Sequence, residues 1–258
     1  MSNQAVMEAK NVSKSFGHVQ ALDNVNFSIN KGDIVGFVGD NGAGKSTLLK
    51  ILTGVHEPDS GELYWKGEKV EISSPEDAQK LGIGILHQSL PVIPKLNLAQ
   101  NFFLTRELTN GPLNTLDKKK MEKICGKQME LLGISKDITQ QNVETLSGGE
   151  EQTLILARTY FFGSELIILD EPTNNLSVKE TRKVLETTRK IHEREGIPIV
   201  YVTHNIPRVF PIANRFVVLE RGRKVADLEK TEDLDVRDVE DLIVSGEMGG
   251  NREFEEAK

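Results

Sequence analysis

Nine consecutive residues, Gly39-Asp40-Asn41-Gly42-Ala43-Gly44-Lys45-Ser46-Thr47, carry the most specific chemistry in the chain. They fit the pattern G-x-x-x-x-G-K-[ST] and stand between a short apolar run, Asp33–Val38, and a segment of helical spacing, Lys45–Leu52. Glycines let such a loop curl until successive N–H groups point inward, where phosphate oxygens can accept from them. The start of the following helix adds partial positive charge. Lys45 has the length to reach outer phosphates, and the Ser46 hydroxyl can ligate Mg²⁺. A chance lysine in a glycine-rich turn is the plain alternative, but pattern and context together favour a phosphate site.

A second apolar run, Leu166–Leu169, ends on Asp170 and Glu171. A carboxylate in Asp170's position beside a phosphate loop can hold Mg²⁺ directly or through water, and Glu171 can aim at an attacking water. Alone, the pair could be two solvated acids before a structure-halting proline. A third stretch, Leu146-Ser147-Gly148-Gly149-Glu150-Glu151-Gln152, is less simple, because its glycines suit an anion and its glutamates do not. Ser147 and Glu150 read as S-x-x-E, a capping box. Acids in a first helical turn are favoured by roughly 0.3–1 kcal/mol. The carboxylates can therefore serve a helix while the glycine amides remain suited to phosphate.

The elements that must position these groups alternate. Val19–Ile29 has the alternation of a half-exposed strand, and the first seventy or so residues read mainly as strands. Between about Gln88 and Glu144, prolines and a polar helix over Asp117–Leu132 indicate a mostly helical insertion. A charged helix over Val178–Glu195 and a strand over Ile197–Val202 follow, with Pro198 better placed at a strand start than a centre. Strand–helix alternation predicts an α/β core with a mainly parallel sheet. The last residues, 246–258, are rich in glycine and charge and are expected to form a flexible tail.

Bulk properties narrow the function. With 258 residues and 38% hydrophobic content the chain can bury a sizeable core. A formal net charge of −7 argues against nucleic acid as a partner. A lone cysteine, Cys125, excludes an internal disulfide, suits a reducing compartment and is expected to be a buried structural thiol. No segment has the ~20 apolar residues needed to span a bilayer, and the opening MSNQAVMEAK has no signal-peptide core. Any service to a membrane is therefore expected from the cytosolic side, through a partner.

In order, GDNGAGKST, Gln88 in ILHQS, LSGGEEQ, LIILDEPT and His204 in YVTHN resemble the ATP-binding subunit of ABC (ATP-binding cassette) transporters, over about residues 5–245. The phosphate-loop wording and the closing VLERGRKVADL are most similar to ATPases of monosaccharide importers of the ribose and fructose type. The resemblance implies an α/β P-loop NTPase of ABC ATPase type, with a RecA-like core, an N-terminal antiparallel β-subdomain and a helical subdomain over about 89–160. Residues 1–245 would form a single ATPase domain. ATP and Mg²⁺ are the implied cofactors, with Gly39 to Thr47 around the phosphates and Phe16 against adenine. Phe16 could instead be a core residue. Gln88 would contact Mg²⁺ or water and report to the membrane partner, unless it is a solvated loop residue. His204 would hydrogen-bond the γ-phosphate, although a lone histidine is often structural.

The implied partners are an integral membrane permease, a separate solute-binding protein and a second ATPase protomer, most simply in a homodimer. Ser147, Gly148 and Gly149 would close over the γ-phosphate held by that second protomer. The implied location is cytoplasmic, peripheral on the inner face of the cell membrane. Two rivals keep the same motifs: a soluble ABC-type ATPase such as one of iron–sulfur cluster assembly, and a weakly hydrolysing regulatory module. Two departures from the family pattern matter. Position 150 is most often glutamine, so Glu150→Gln is expected to raise ATPase activity or tighten ATP-dependent pairing. Ser177 stands where an aspartate is frequent, in the loop expected to cross the dimer interface.

Overall fold

The computed structural model describes residues 5–86, 92–111, 113–134 and 139–245, and the chain divides into two compact units. The first comprises residues up to 85, 164–171 and from 192 onward; the second comprises 86–163 and 172–191.

In the first unit, β1 (Ala5–Phe16) and β2 (Val19–Asn30) pair antiparallel, and β1 also pairs antiparallel with β4 (Ser60–Trp65). Adding β5 (Glu68–Val70) gives a four-stranded antiparallel sheet in the order β2-β1-β4-β5. From Val25 the β2 side chains alternate, with Val25, Phe27 and Ile29 buried, because strand periodicity sends every second residue to the core.

A six-stranded sheet carries the rest of this unit. Its order is β12-β11-β3-β10-β9-β6, from β3 (Ile34–Val38), β6 (Ile83–Leu86), β9 (Leu166–Asp170), β10 (Ile199–Thr203), β11 (Arg215–Glu220) and β12 (Arg223–Glu229). The β11–β3, β3–β10 and β10–β9 pairings are parallel, and β12 closes one edge antiparallel. Every residue of β3 and β10 is buried, which explains why they read as continuous apolar runs without alternation. β10 begins at Ile199, two residues later than the sequence predicts, since Pro198 has no N–H to donate and contributes only its carbonyl, to the Ile167 amide at 3.1 Å. α1 (Lys45–Leu52) buries Leu48, Leu49, Ile51 and Leu52 in a core shared by both sheets, where Phe27 and Phe37 stack with centroids 5.1 Å apart. The short helices α2 (Pro75–Leu81) and α7 (Ile206–Val209) and the C-terminal α8 (Val236–Ser245) complete the described elements of this unit.

A buried ion cluster fixes how β3 enters. Arg215 donates two hydrogen bonds to Asp227, at 2.7 and 2.8 Å, and a third to Asp33 at 2.9 Å. It therefore joins β11 and β12 to the turn immediately before β3. The neighbouring Asn214 accepts from the Ile34 amide and donates to the Gly32 carbonyl, each at 2.8 Å.

The second unit is mostly helical: α3 (Leu98–Phe102), α4 (Lys118–Leu131), α5 (Gly148–Phe161) and most of α6 (Val178–Glu195), with a small hairpin of β7 (Thr109–Asn110) and β8 (Thr115–Leu116). Phe102, Phe103, Phe161 and Phe162 cluster with centroids 5.1–6.0 Å apart. The buried face of α4 carries Met121, Cys125 and Met129, and burial pushes the Cys125 thiol up, away from the reactive thiolate. Residues 246–258, the expected tail, lie outside the described residues.

Candidate functional site

The parallel register decides which loops meet. On β10, Val202 lies opposite both Phe37 and Asp170, and Thr203 lies opposite Val38. The chain therefore leaves β3, β10 and β9, adjacent strands, at the same carboxyl end of the sheet. In open α/β sheets, ligands bind outside the carboxyl ends of the strands. Here those ends deliver the phosphate loop, the acid pair and His204.

Gly39, Gly42 and Gly44 all have positive φ, at 148°, 86° and 103°. At two of them the space is closed as well: a Cβ on Gly39 would lie 2.1 Å from the Leu219 carbonyl oxygen, and one on Gly44 2.5 Å from that of Ala21. Gly44 is the N-cap of α1, which has neither a side-chain cap nor an acid in its first turn. Lys45 is buried and donates to the loop's own carbonyls of Gly39 and Asp40, at 2.6 and 2.9 Å. Burial pushes the Lys45 ammonium's pKa down, and the carboxylates of Glu171, Asp40 and Asp170 oppose that shift. Ala43 is buried, Thr47 half-buried, and Asp40, Asn41 and Ser46 are exposed.

Glu171 occupies the left-handed region, φ 49°, a conformation of order 1–3 kcal/mol for a non-glycine residue, found disproportionately at active sites. Its amide donates to the Val202 carbonyl at 3.0 Å, and its carboxylate is held from three sides. Thr203 donates its hydroxyl at 3.1 Å, and His204 donates its amide at 3.1 Å and Nδ1 at 2.7 Å. A carboxylate can only accept, so Nδ1 carries the hydrogen, and a neutral His204 ring presents a lone pair at Nε2. To donate to a phosphate from Nε2 the ring must be doubly protonated.

For Mg²⁺ the donor set fits. Ser46, in the first turn of α1, and Asp170, the last residue of β9, carry hard oxygens of the kind that Mg²⁺ takes. Among the described residues no group of three or more His, Cys, Asp or Glu could cage a metal alone. Mg²⁺ usually keeps waters and substrate phosphates as ligands and needs no such cage. Gln88, expected to be a third ligand, lies outside the described residues.

Phe16 ends β1 and is 44% exposed, so it is not a core residue. Its ring meets His56 edge-on at 5.2 Å, with the Lys14 ammonium 5.7 Å from its centroid.

In the second unit the serine–glutamate box forms as the sequence predicts. Ser147 accepts from the Glu150 amide at 3.3 Å, and Glu150 accepts from the Ser147 amide at 3.1 Å. Glu150 also meets Lys183 at 3.4 Å. Burial opposes its ionisation, but the Ser147 amide, Lys183 and the Ser147 hydroxyl together hold its carboxyl below the ordinary range. Burial alone pushes Glu151 up. The departure at Ser177 has a structural reason: with Glu180 it forms a second serine–glutamate box opening α6, Glu180 accepting from the Ser177 amide at 2.9 Å and hydroxyl at 2.6 Å. Sequence reasoning passed over Glu180 and Lys183, although S-x-x-E at 177–180 carries the signal it used at 147–150. Thr203 was missed too, since only register brings it to Glu171.

Fold and strand ends together define a phosphate-loop nucleotide-binding protein. Residues 22–174 match the ABC transporter family. The xylose/arabinose import ATP-binding protein XylG of Sulfolobus acidocaldarius is 43% identical over 95% of this chain and 96% of its own length. The fructose import ATP-binding protein FrcA of Rhizobium meliloti is 39% identical, covering 87% and 88%. A ribose import ATP-binding protein, RbsA of Caldanaerobacter subterraneus, is 38% identical, and this chain spans 46% of its length. Among solved structures, a nucleotide-free ATP-binding cassette of an ABC transporter superposes with TM-score 0.81 over 95% of this chain and all of its own, at 22% identity. A dimeric bacterial ABC transporter cassette gives 0.71 at 26% identity, over 86% and 98%. The chain belongs to the ABC transporter family, as an ATPase subunit akin to those of sugar import systems.

Proposed function

We propose that this chain binds and hydrolyses ATP to drive import of a monosaccharide through a membrane permease, from the cytoplasmic face. One observation carries the reading: parallel register sets the phosphate loop, Asp170–Glu171 and Thr203–His204 at the same carboxyl end of the sheet. The relatives named above, import proteins for xylose or arabinose, fructose and ribose, support the solute class. Among the described residues no helix is long and apolar enough to cross a membrane, so the pore belongs to a partner in this reading.

The roles follow from placement. Amides of Gly39 to Thr47 cradle the phosphates, and Lys45 exchanges its loop carbonyls for phosphate oxygens. Phe16, exposed and without a hydroxyl, stacks on adenine. Ser46, Asp170 and Gln88 would hold Mg²⁺, which when bound offsets phosphate charge. Glu171 accepts a proton from, or orients, the attacking water, and His204 holds the γ-phosphate. Such transfer depends on positioning and electrostatics. Ser147, Gly148 and Gly149 serve the nucleotide of a second copy, so the working unit is a pair, in keeping with the dimeric cassette among the structural neighbours. Residues 1–245 act as one ATPase domain, with the helical subdomain over about 89–160.

The test is phosphate release by the chain reconstituted with a cognate membrane permease, together with uptake of labelled xylose, arabinose, ribose and fructose. MgATP-dependent uptake of one of them is expected, with a separate solute-binding protein required. Hydrolysis without uptake, and co-purification with a soluble scaffold, would overturn the transport role.

A further inference from the structure

Two consecutive amides at the start of α5, those of Gly148 and Gly149, already face an anion. The Glu180 carboxylate accepts from the Gly149 amide at 3.4 Å with one oxygen, while its other oxygen stays on Ser177. The Ser177 hydroxyl and amide, and behind them the amides of Gly149 and Gly148, hold this carboxyl below the ordinary range. Contact is close along the backbone as well. A Cβ on Gly149 would lie 3.0 Å from Glu180 Cβ and 3.2 Å from its Cα, and one on Gly148 would lie 2.8 Å from Leu176 Cδ2. One turn further along α6, Lys183 reaches Glu150. Residues three apart share a helix face, so a single face of α6 offers a carboxylate to the α5 amides and an ammonium to the α5 carboxylate.

We infer that the Glu180 carboxylate takes the place of phosphate on the Gly149 amide and must leave it before that amide can grip the terminal phosphate of a nucleotide carried by a second copy. The inference rests on the paired, composite site proposed above and adds a competitor to it. The competition is chemical: one N–H cannot serve two acceptors at full strength, and a carboxylate beside a triphosphate adds repulsion in a partly desolvated seam. Displacement needs no unfolding, because Ser177 continues to hold the second oxygen and the α6 cap survives. The cost of swinging Glu180 aside therefore appears as a threshold in the ATP concentration at which two copies join. The chain runs directly from Glu171 through Pro172–Lys179 to Glu180, so the residue that works on one nucleotide is tethered to the residue that guards the other.

The experiment uses the full chain carrying Glu171→Gln, which slows hydrolysis, with sedimentation velocity over a range of MgATP. Glu180→Gln keeps one acceptor oxygen for the Ser177 box and removes both the charge and the second acceptor, so the Gly149 amide loses its partner. Half-maximal MgATP for pairing is expected to fall about three- to tenfold, the range of one ordinary net hydrogen bond, in keeping with a contact as long as 3.4 Å. Glu180→Asp, too short to reach while still charged and near Ser177, is expected to fall in the same direction, and it guards against a folding artefact in the first variant. Binding of a fluorescent ATP to dilute monomer should match the parent in both. In ¹⁵N spectra of the nucleotide-free chain, the Gly149 amide should shift in both variants. An unchanged or raised half-maximum in the variants, where the parent does pair, or an unmoved Gly149 resonance, overturns the role of Glu180 and leaves the composite site standing. A parent that stays monomeric at saturating MgATP, with the permease present, overturns the composite site itself.

Discussion

Two helices in this molecule begin on glycine-rich turns, and the two starts are built in opposite ways. α1 opens on Gly44 in a left-handed conformation, with no side-chain cap and no acid in its first turn. α5 opens on Ser147 with a complete capping box, two glutamates in its first turn, and a third glutamate arriving from α6. Four N–H groups at any helix start lack an intrahelical partner. At α1 no side chain caps them, and the Lys45 ammonium rests on the loop carbonyls of Gly39 and Asp40. At α5 they are satisfied within the chain. In the reading proposed above, the first start is ready at rest and the second has to be opened. This difference suits a site whose nucleotide is held mainly by one copy and sealed by another.

The largest expected effect tests the sheet end that α1 serves. Glu171→Gln keeps one acceptor oxygen, which can serve His204, and turns the other oxygen into an NH2 group facing the Thr203 hydroxyl; it removes the base, and turnover should drop by at least about 100-fold, within the range for a positioned general base. Nucleotide affinity, measured by equilibrium fluorescence, should stay near the parent's. Turnover near the parent's would remove Glu171 from the chemistry. Lys45→Ala should act on the other quantity, weakening MgATP binding about 10- to 100-fold, as expected for charge-assisted hydrogen bonds to phosphate. Equal affinity for variant and parent would mean that the α1 start is not the phosphate site.

Glycine substitutions contrast the two starts more sharply. Gly44→Ala forces a Cβ into a left-handed residue and against a backbone oxygen, and should cost about 1–3 kcal/mol in urea denaturation. Gly148 has an ordinary backbone, and its Cβ would crowd the flexible end of the Leu176 side chain at 2.8 Å and touch Glu180 Oε1 at an ordinary 3.7 Å. Gly148→Ala should therefore cost less than ~1 kcal/mol, with the gain in helix propensity offsetting the crowding. Equal losses would mean that the two turns are conformationally alike.

Sequence alone shows much of this arrangement, for an identifiable reason. The phosphate loop, the acids after Leu169 and the Ser147–Glu150 box are local: their chemistry is written in residues within one turn of each other. The α/β class follows from apolar runs alternating with helical spacing, and the helix over Val178–Glu195 matches α6. Tertiary convergence was not legible. Arg215 and Asp33 are separated by 182 positions, and neither stands in a motif. Glu180 and Gly149 are 31 apart, so the box at Ser177 can be read but its reach to another helix cannot. Parallel register, which aligns Thr203 with Val38, is likewise a property of the sheet.

Acidification should separate the two starts without any mutation, though by less. Glu150 has a depressed carboxyl, so its stabilising contribution is complete above the ordinary glutamate value of 4.5 and is lost as the pH falls through its lower, folded value. Glu180 behaves the same way, held down chiefly by Ser177. α1 has no acid in its first turn and so no such dependence. Amide exchange compared between about pH 6 and pH 3.5, corrected for intrinsic rates, should show protection lost at Ser147 to Glu150 before Leu48 to Leu52, the amides of α1 bonded within the helix, since the acid-linked caps are the part that titrates. Simultaneous loss would deny the glutamates their capping role.

The smallest effect is expected at Glu150, and its size distinguishes the two glutamates that face α5. Glutamine at this position still accepts from the Ser147 amide, so the box survives. What disappears is one negative charge that Lys183 already offsets at 3.4 Å, in a half-exposed pair of the kind worth roughly 0.2–1 kcal/mol. Pairing of a Glu171→Gln background should tighten by no more than about twofold, because Glu150 engages the Ser147 amide and leaves that of Gly149 to Glu180. Losing its carboxylate partner also frees the Lys183 ammonium, which can then draw Glu180 toward itself along the same helix face. A Glu150→Gln effect as large as that of Glu180→Gln would mean that bulk negative charge, and not occupancy of one amide, governs the start of α5.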